Sequence, residues 1–542
     1  MNDQKSSRRR FLQASIVGGI SAGLLPELAS AAHPETFAFG TSFELEEVTV
    51  DDLQRAMQSG KVTAREITEE YLARIDSLDK HGPAVNSVIE LNPDALAIAD
   101  ALDRERKEKG ARGPLHGIPV LIKDNIDTAD KMMTTAGSLA MVGPAPAKDS
   151  SVAQHLRGAG AVILGKTNLS EWANIRSSHS TSGWSGRGGL TRNPYALDRN
   201  ACGSSSGSGA AVSANFCALA VGTETDGSVV CPSSLNGIVG IKPTLGLISR
   251  AGIVPIAHSQ DTAGPMARTV RDAAILMGAL AGNDDRDPAT AASAGKLAAD
   301  YTKFLDPAGL RGARLGVSRK YFGFNDAVDQ LMAEVIEQLK RQGAILVDPA
   351  DLPSHGKFDD TEFTVLLYET KADLNAYLAN RGPGTPMKSL EEIIAFNDRN
   401  RQKEMPYFGQ DVFLKAQAKG PLTEKEYTDA LEANHRLSRR EGIDAIMDQN
   451  KLDALIAPTQ GPAWLTDLIN GDHAPGGCSN AAAVAGYPHI TVPAGFVDGL
   501  PVGLSFFGRA WSEPTLLKLA FSFEQASKIR KPPQFLTTVK MG

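Results

Sequence analysis

The sequence predicts an α/β fold, a central sheet sandwiched between helices. Three observations predict it. Short apolar runs, the length of buried strands, recur along most of the chain. Segments with helical spacing separate many of them. The runs resume after the one loop-rich stretch, 284–312, which favours a single interlocked unit over two independent ones.

Residues 32–46 read as an extended leader into the fold. Thr63-Ala64-Arg65-Glu66 has the form of a capping box, in which the Thr and Glu side chains each satisfy a free backbone N–H. Ile67, Tyr71, Ile75 and Leu78 then recur at helical spacing. Asn92-Pro93-Asp94 opens a second helix, with proline at its first position. Apolar runs at 118–122, 161–164, 238–241, 314–317, 344–347, 453–456 and 489–493 read as buried strands. Helical patterns at 209–220 and 326–342 lie between them. Residues 355–450 are charged, helical in pattern and poor in strand signals. They read as a helical excursion from the main body that forms a lid or one wall of a pocket.

A chain of 542 residues that is 42% hydrophobic has ample length for a large core. Its net charge of -7 argues against a nucleic-acid partner, because binding phosphates requires a basic face.

The first 31 residues stand apart. Ser7-Arg8-Arg9-Arg10-Phe11-Leu12 fits the twin-arginine export pattern. An apolar stretch, Ile16 to Leu25, and an A-x-A cleavage site, Ala29-Ser30-Ala31, follow. The apolar part is about ten residues, against the ~20 that span a bilayer. The segment is therefore expected to be a signal peptide, 1–31, handled by the twin-arginine translocase. The mature chain, 32–542, is expected in the periplasm or outside the cell, with no stable membrane insertion. The segment holds four Lys/Arg and two Asp/Glu, so its removal takes the net charge from -7 to -9.

Cys202, Cys217, Cys231 and Cys478 form no C-x-x-C pair, and none sits with histidine at zinc-ligand spacing. An oxidising compartment allows a disulfide, but spacing does not decide a pairing. The favoured reading is four small buried core residues.

The chemistry centres on residues 222–232, GTETDGSVVCP. Ser228 follows a glycine-bearing turn, and no histidine lies near it. A nucleophilic Ser228 needs some other group to take its proton. Three patterns elsewhere are set aside. Gly203-Ser204-Ser205-Ser206-Gly207 matches G-x-S-x-G, but a nucleophile elbow needs a strong strand before it, and 197–202 read as a loop. Ser77 to Lys80 matches S-x-x-K but ends a charged amphipathic helix without the partner K-T-G. Lys166-Thr167-Asn168 resembles the end of a phosphate loop, lacks its spacing, and reads as a helix start. Lys123 ends the run 118–122. Lysine is almost never fully buried without a partner, so alone it reads as a snorkelling side chain at the sheet rim.

Together these regions carry a resemblance. GPLHGIPVLIKDNI (113–126), TTAGS (134–138), GAVILGKTNLSEWA (160–173), the block from Cys202 to Thr244, AGYPHITVPAGF (485–496) and GLPVGL (499–504) resemble the amidase signature family, from about residue 48 to 530. SGWSGRGGLTRNPY (182–195), CGSSSGS (202–208), GTETDGS (222–228) and SQDTAGPMAR (259–268) resemble its bacterial peptide-amidase branch. The usual block has Gly where this chain has Cys202, Ser206 and Asp226, and Arg where it has Val230. That branch shares these departures, so they bear on substrate choice.

The resemblance implies the amidase signature fold, a single large mixed twisted sheet between helices. It implies a serine amidohydrolase that cleaves carboxylic amide C–N bonds through an acyl-enzyme. On matching positions, Ser228 is the nucleophile, Ser204 the bridging serine on a cis peptide bond, and Lys123 the base. Backbone N–H groups of Thr225, Asp226, Gly227 and Ser228 form the oxyanion hole. Ser205 and Ser206 support the site. No metal or organic cofactor is implied. The implied substrate is a small-molecule or peptide amide, foremost the C-terminal amide of a peptide. An aryl-amide or ester hydrolase, or the glutaminase subunit of a tRNA-dependent amidotransferase, are the alternatives. One physical condition attaches. Lysine at its reference pKa of about 10.4 is charged at pH 7, so burial has to bring Lys123 down.

Overall fold

In a computed structural model, which describes residues 45–382 and 384–540, the apolar runs pair into one 11-stranded sheet. The strands are β1 (Val88–Leu91), β2 (Pro119–Lys123), β3 (Val162–Thr167), β4 (Trp184–Ser185), β5 (Gly189–Leu190), β6 (Leu219–Glu224), β7 (Val239–Lys242), β8 (Thr262–Ala267), β9 (Arg314–Val317), β10 (Ile345–Val347), β11 (Ala454–Pro458), β12 (His489–Val497) and β13 (Leu500–Phe507). β4 and β5 pair apart, and the rest run in the order β1-β3-β2-β6-β8-β7-β12-β13-β11-β9-β10. β2 is parallel to β3 and β6, and β9 is parallel to β10 and β11. The other pairs are antiparallel, so the sheet is mixed.

β2, β3, β6, β7 and β8 are buried at every position. Strands covered on both faces read as continuous apolar runs rather than alternating ones, which is why β2, β3 and β7 are legible in the sequence. Helices Val270–Leu280, Asp326–Arg341 and Glu513–Ser527 pack against the sheet. Thr63 caps the helix Ala64–Arg74, with Glu66 returning the bond in a full capping box.

Several expectations are corrected. The pattern at 209–220 is not one helix: the helix is Ser206–Ser213, Asn215 turns the chain at φ 59°, and Leu219 opens β6. A short apolar run does not by itself distinguish a buried strand from a buried helix. β8 gave no strand signal, because Gly264 and Pro265 interrupt it. Lys166 does not start a helix. It lies in β3, fully buried, and its ammonium donates to the Ile126 carbonyl and to Thr134 Oγ1. Pro93 precedes the cap residue Asp94 instead of opening the helix Ala95–Lys109.

Within 355–450 the chain forms the helices Asp359–Asn380, Leu390–Arg399, Arg401–Glu404, Asp411–Gln417, Lys425–His435 and Asp444–Asn450, joined in part by a π-helical turn, Arg436–Ile443. Leu374, Leu378, Ile393 and Phe413 from this segment form an apolar cluster with Trp172 and Val254. Among the described residues no helix is long and apolar enough to cross a membrane. The twin-arginine segment and the leader up to residue 44 lie outside the described residues.

Candidate active site

β2 and β6 are parallel neighbours, with Ile122 opposite Val221, so their C-terminal ends finish side by side. Lys123 is the last residue of β2, and Thr223 and Glu224 are the last of β6. The helix Ser206–Ser213 contains only Ser, Gly, Ala and Val, packs against the same strands, and delivers residues 203–205 to their ends. Three remote segments thus meet at one edge.

Lys123 does not snorkel. Its side chain is fully buried. Its Nζ lies 2.7 Å from Ser204 Oγ, 3.1 Å from Ser205 Oγ, 2.9 Å from Thr223 Oγ1 and 3.3 Å from the Thr223 carbonyl. Among the described residues no carboxylate bonds to it. Burial pulls its pKa from 10.5 down to about 7, against the weaker upward pull of Asp261 and Glu224. A neutral amine keeps one lone pair, and the Ser204 hydroxyl is at the distance to donate to it.

The Gly203–Ser204 peptide bond is cis. Gly203 has no room for a side chain, since a Cβ there would sit 2.2 Å from Ser170 Oγ and 2.9 Å from Ser182 Oγ. Gly203→Ala is therefore expected to displace Ser204 and to destabilise the fold by about 1–3 kcal/mol. Ammonia-release kinetics and thermal melting of that variant check both effects. Ser205 Oγ is fixed on β6, donating to the Thr223 carbonyl at 3.0 Å and accepting from its N–H at 3.1 Å. Ser206 works on the other side, donating to the Cys202 carbonyl.

Ser228 is 8% exposed and sits between β6 and the helix Val230–Leu235. Glu224 holds this turn: its Oε2 accepts from the N–H groups of Val229 and Val230 at 2.8 and 3.0 Å. Gly227, at φ 76°, supplies the left-handed backbone the turn needs. Among the described residues the N–H groups of Thr225, Asp226 and Ser228 donate to no protein acceptor, while that of Gly227 faces the Glu224 carboxylate. Such free donors at a partly open turn can receive an anionic oxygen. Thr225 Oγ1 donates to Asp261 at 2.6 Å, which anchors the loop from outside. Burial pushes the carboxyls of Asp261 and Asp226 up to about 6. Burial, and then the neighbouring Asp226, raise Glu362 well above its usual range.

The Lys123 contact ends at Ser204. Among the described residues no hydrogen bond joins Ser204 Oγ to Ser228 Oγ. Their segments meet instead where the Ser205 N–H donates to the Ser228 carbonyl at 3.2 Å. Catalytic hydrogen bonds are often long in a free enzyme and tighten on substrate.

The expectation of four core cysteines is corrected for two of them. Cys202 and Cys231 form a disulfide, while Cys217 and Cys478 are buried thiols. Thr223, Asn125, Glu224 and Asp261 were not singled out in the sequence. Asn125 donates to Thr223 Oγ1 at 3.0 Å and so fixes the hydroxyl that faces Lys123. The readable signal was position: Asn125 is two residues past Lys123, and Thr223 and Glu224 end β6. Among the described residues one group of potential metal ligands exists, His258, Glu369 and Asp373. The His258 ring bonds to Asp373 at 2.9 Å and Tyr427 donates to Glu369 at 2.7 Å, so these groups serve as an ion-paired link between the helix Asp359–Asn380 and the loop before β8.

The family model described as amidase matches residues 66–517, and the chain belongs to that family, the amidase signature hydrolases. The solved structure of native peptide amidase from Stenotrophomonas maltophilia matches with a TM-score of 0.86 and 51% identity, over 91% of this chain and 99% of that one. A "probable amidase" of Arabidopsis thaliana is 43% identical over 95% of this chain and 96% of its own length. A glutamyl-tRNA(Gln) amidotransferase subunit of Chloroflexus aurantiacus is 36% identical, over 90% of this chain and 98% of its own. The sequence and structure thus agree on the class and on the fold.

Proposed function

We propose that this chain is a serine amidohydrolase that uses Ser228, Ser204 and Lys123 to convert C-terminal peptide amides to the acid and ammonia. One observation carries the proposal: a fully buried lysine, with its pKa brought to about 7, lies 2.7 Å from Ser204 Oγ. Neutral Lys123 takes the Ser204 proton as Ser204 takes that of Ser228. Ser228 Oγ then attacks the amide carbonyl. The N–H groups of Thr225, Asp226 and Ser228 hold the oxyanion, while that of Gly227, which the resemblance also implied, is turned to the Glu224 carboxylate. Lys123 returns the proton to the leaving nitrogen, ammonia departs, and water repeats the sequence on the acyl-enzyme.

The neutral substrate fits the surroundings. Glu224, Asp226 and Glu362 cluster about the oxyanion loop, and Val230 stands where the family block has arginine. Raised by burial, these acidic groups offer no cation to pair with a free carboxylate beside the scissile bond. The likeness to a peptide amidase supports the peptide-amide reading over the amidotransferase one. An aryl-amide or ester hydrolase uses the same groups. Ammonia release from a panel of peptide amides, short aliphatic amides and anilides tests the choice. Peptide amides should have the highest kcat/KM, and a preference for anilides would overturn it.

Export is part of the proposal. The Arg8-Arg9 pair supports it, and a disulfide is at home in an oxidising compartment. Replacing Arg8 and Arg9 by Lys is expected to leave precursor in the cytosol, read by fractionation and immunoblot.

A further inference from the structure

We propose that the Cys202–Cys231 disulfide is a positioning element for the reaction, and that its reduction slows turnover while the fold stands. The inference rests on Ser204 and Ser228 being the reacting hydroxyls.

The bridge joins positions 29 residues apart in sequence, with their Cα atoms 6.0 Å apart. Both serines lie inside the loop it closes, beside its two ends. Ser204 follows Cys202 by two residues, and Ser228 precedes Cys231 by three. Both segments are irregular beside the serines and are held by individual hydrogen bonds, among them Ser170 N–H to the Ser204 carbonyl at 3.1 Å and Cys231 N–H to the Gly227 carbonyl at 2.8 Å. Residues 196–205 contain isolated bridges but no strand or helix, and the helix that follows Ser228 has six residues. Two hydrogen bonds link the segments near the serines: Ser205 N–H to the Ser228 carbonyl at 3.2 Å, and Asn236 Nδ2 to the Ala201 carbonyl at 2.9 Å. The disulfide is the covalent tie between them. The other two cysteines are also buried, yet unpaired. The pair that is joined is the pair that brackets the serines.

Proton transfer through two hydroxyls depends steeply on their separation, and a displacement of about 1 Å can cost about a hundredfold in rate. The 11-stranded sheet does not rely on the bridge, since β2, β3, β6 and β8 pair through their own ladders. Loosening is therefore local. Ser204 drifts relative to Ser228, so kcat falls, whereas KM changes little. Reduction breaks the Sγ–Sγ bond. Dithiothreitol supplies two electrons and two protons, leaves as its cyclic disulfide, and yields the Cys202 and Cys231 thiols.

The test compares the native enzyme, the same enzyme after dithiothreitol, and the double variant Cys202→Ser/Cys231→Ser. Intact mass counts the thiols, circular dichroism gives the folded fraction, and ammonia release from a peptide amide gives kcat and KM. The expected result is a tenfold or greater fall in kcat per folded molecule in both altered forms, with KM within threefold. Reoxidation by oxidised glutathione should restore the native enzyme but not the variant. A kcat per folded molecule within twofold of native overturns the proposal, as does a loss that merely tracks the unfolded fraction. Ser228→Ala separates the two layers. If that variant still turns over, the assignment of the serines fails whatever the redox state does. If it is inactive and reduction is harmless, only the role of the bridge fails.

Discussion

Ser228→Ala is expected to lower kcat by about 10⁴-fold or more, with the melting temperature close to that of the native chain. The change removes one oxygen from a side chain that is 8% exposed and sits on a turn held by others. Glu224 still accepts from Val229 and Val230, Gly227 still makes its left-handed turn, and the Cys231 N–H still donates to the Gly227 carbonyl at 2.8 Å. The fold loses little and the reaction loses its nucleophile. Single-turnover kinetics with a peptide amide, alongside thermal melting, checks both halves. Residual turnover within a hundredfold of native would remove Ser228 from the role.

Lys123→Met is expected to cost about 10³-fold or more in kcat. Added to Ser228→Ala it should cost almost nothing further, because groups that act as one unit are not additive. The pH dependence separates this role from a structural one. Lys123 has to be neutral to accept a proton, so kcat/KM of the native enzyme should fall about tenfold per unit as pH drops below about 7. Stability follows with a defined sign. The folded pKa of about 7 lies below the unfolded value of 10.5, so between these limits the unfolded chain binds more protons. The native chain should therefore gain stability relative to Lys123→Met as pH rises from 7 to 9. Melting curves across that range give the slope, and a difference that stays flat would place the charge on Lys123 inside the fold, since neither state would then release a proton.

Much of this site is legible in the sequence because strands buried on both faces read as continuous apolar runs. The run Ile118–Ile122 with a lysine behind it gives β2 and its terminal residue directly. The Ser/Gly string at 203–208 and the glycine turn before Ser228 are equally visible, since tight turns and close approaches demand small residues. The tertiary partners of these residues are not visible. Whether Lys123 is a rim lysine or a buried base depends on β6 lying alongside β2, and β6 was hidden inside an apparent helix running to residue 220. Asp261 and Asn125 act through contacts with segments 36 and 98 residues away, which no local pattern encodes. The disulfide is of the same kind. Its cysteines meet only because the loop before the helix Ser206–Ser213 returns to the helix Val230–Leu235.

The state of the Lys123 amine is open to direct measurement. Lysine side chains labelled with ¹³C and ¹⁵N can be titrated by NMR between pH 5 and 11. The signal absent from Lys123→Met identifies the group and separates it from Lys166 and Lys242, which burial also lowers. That signal should titrate near pH 7 in the free enzyme. A Lys123 amine that stays protonated up to pH 10 could not accept the Ser204 proton at neutral pH, and would contradict the account.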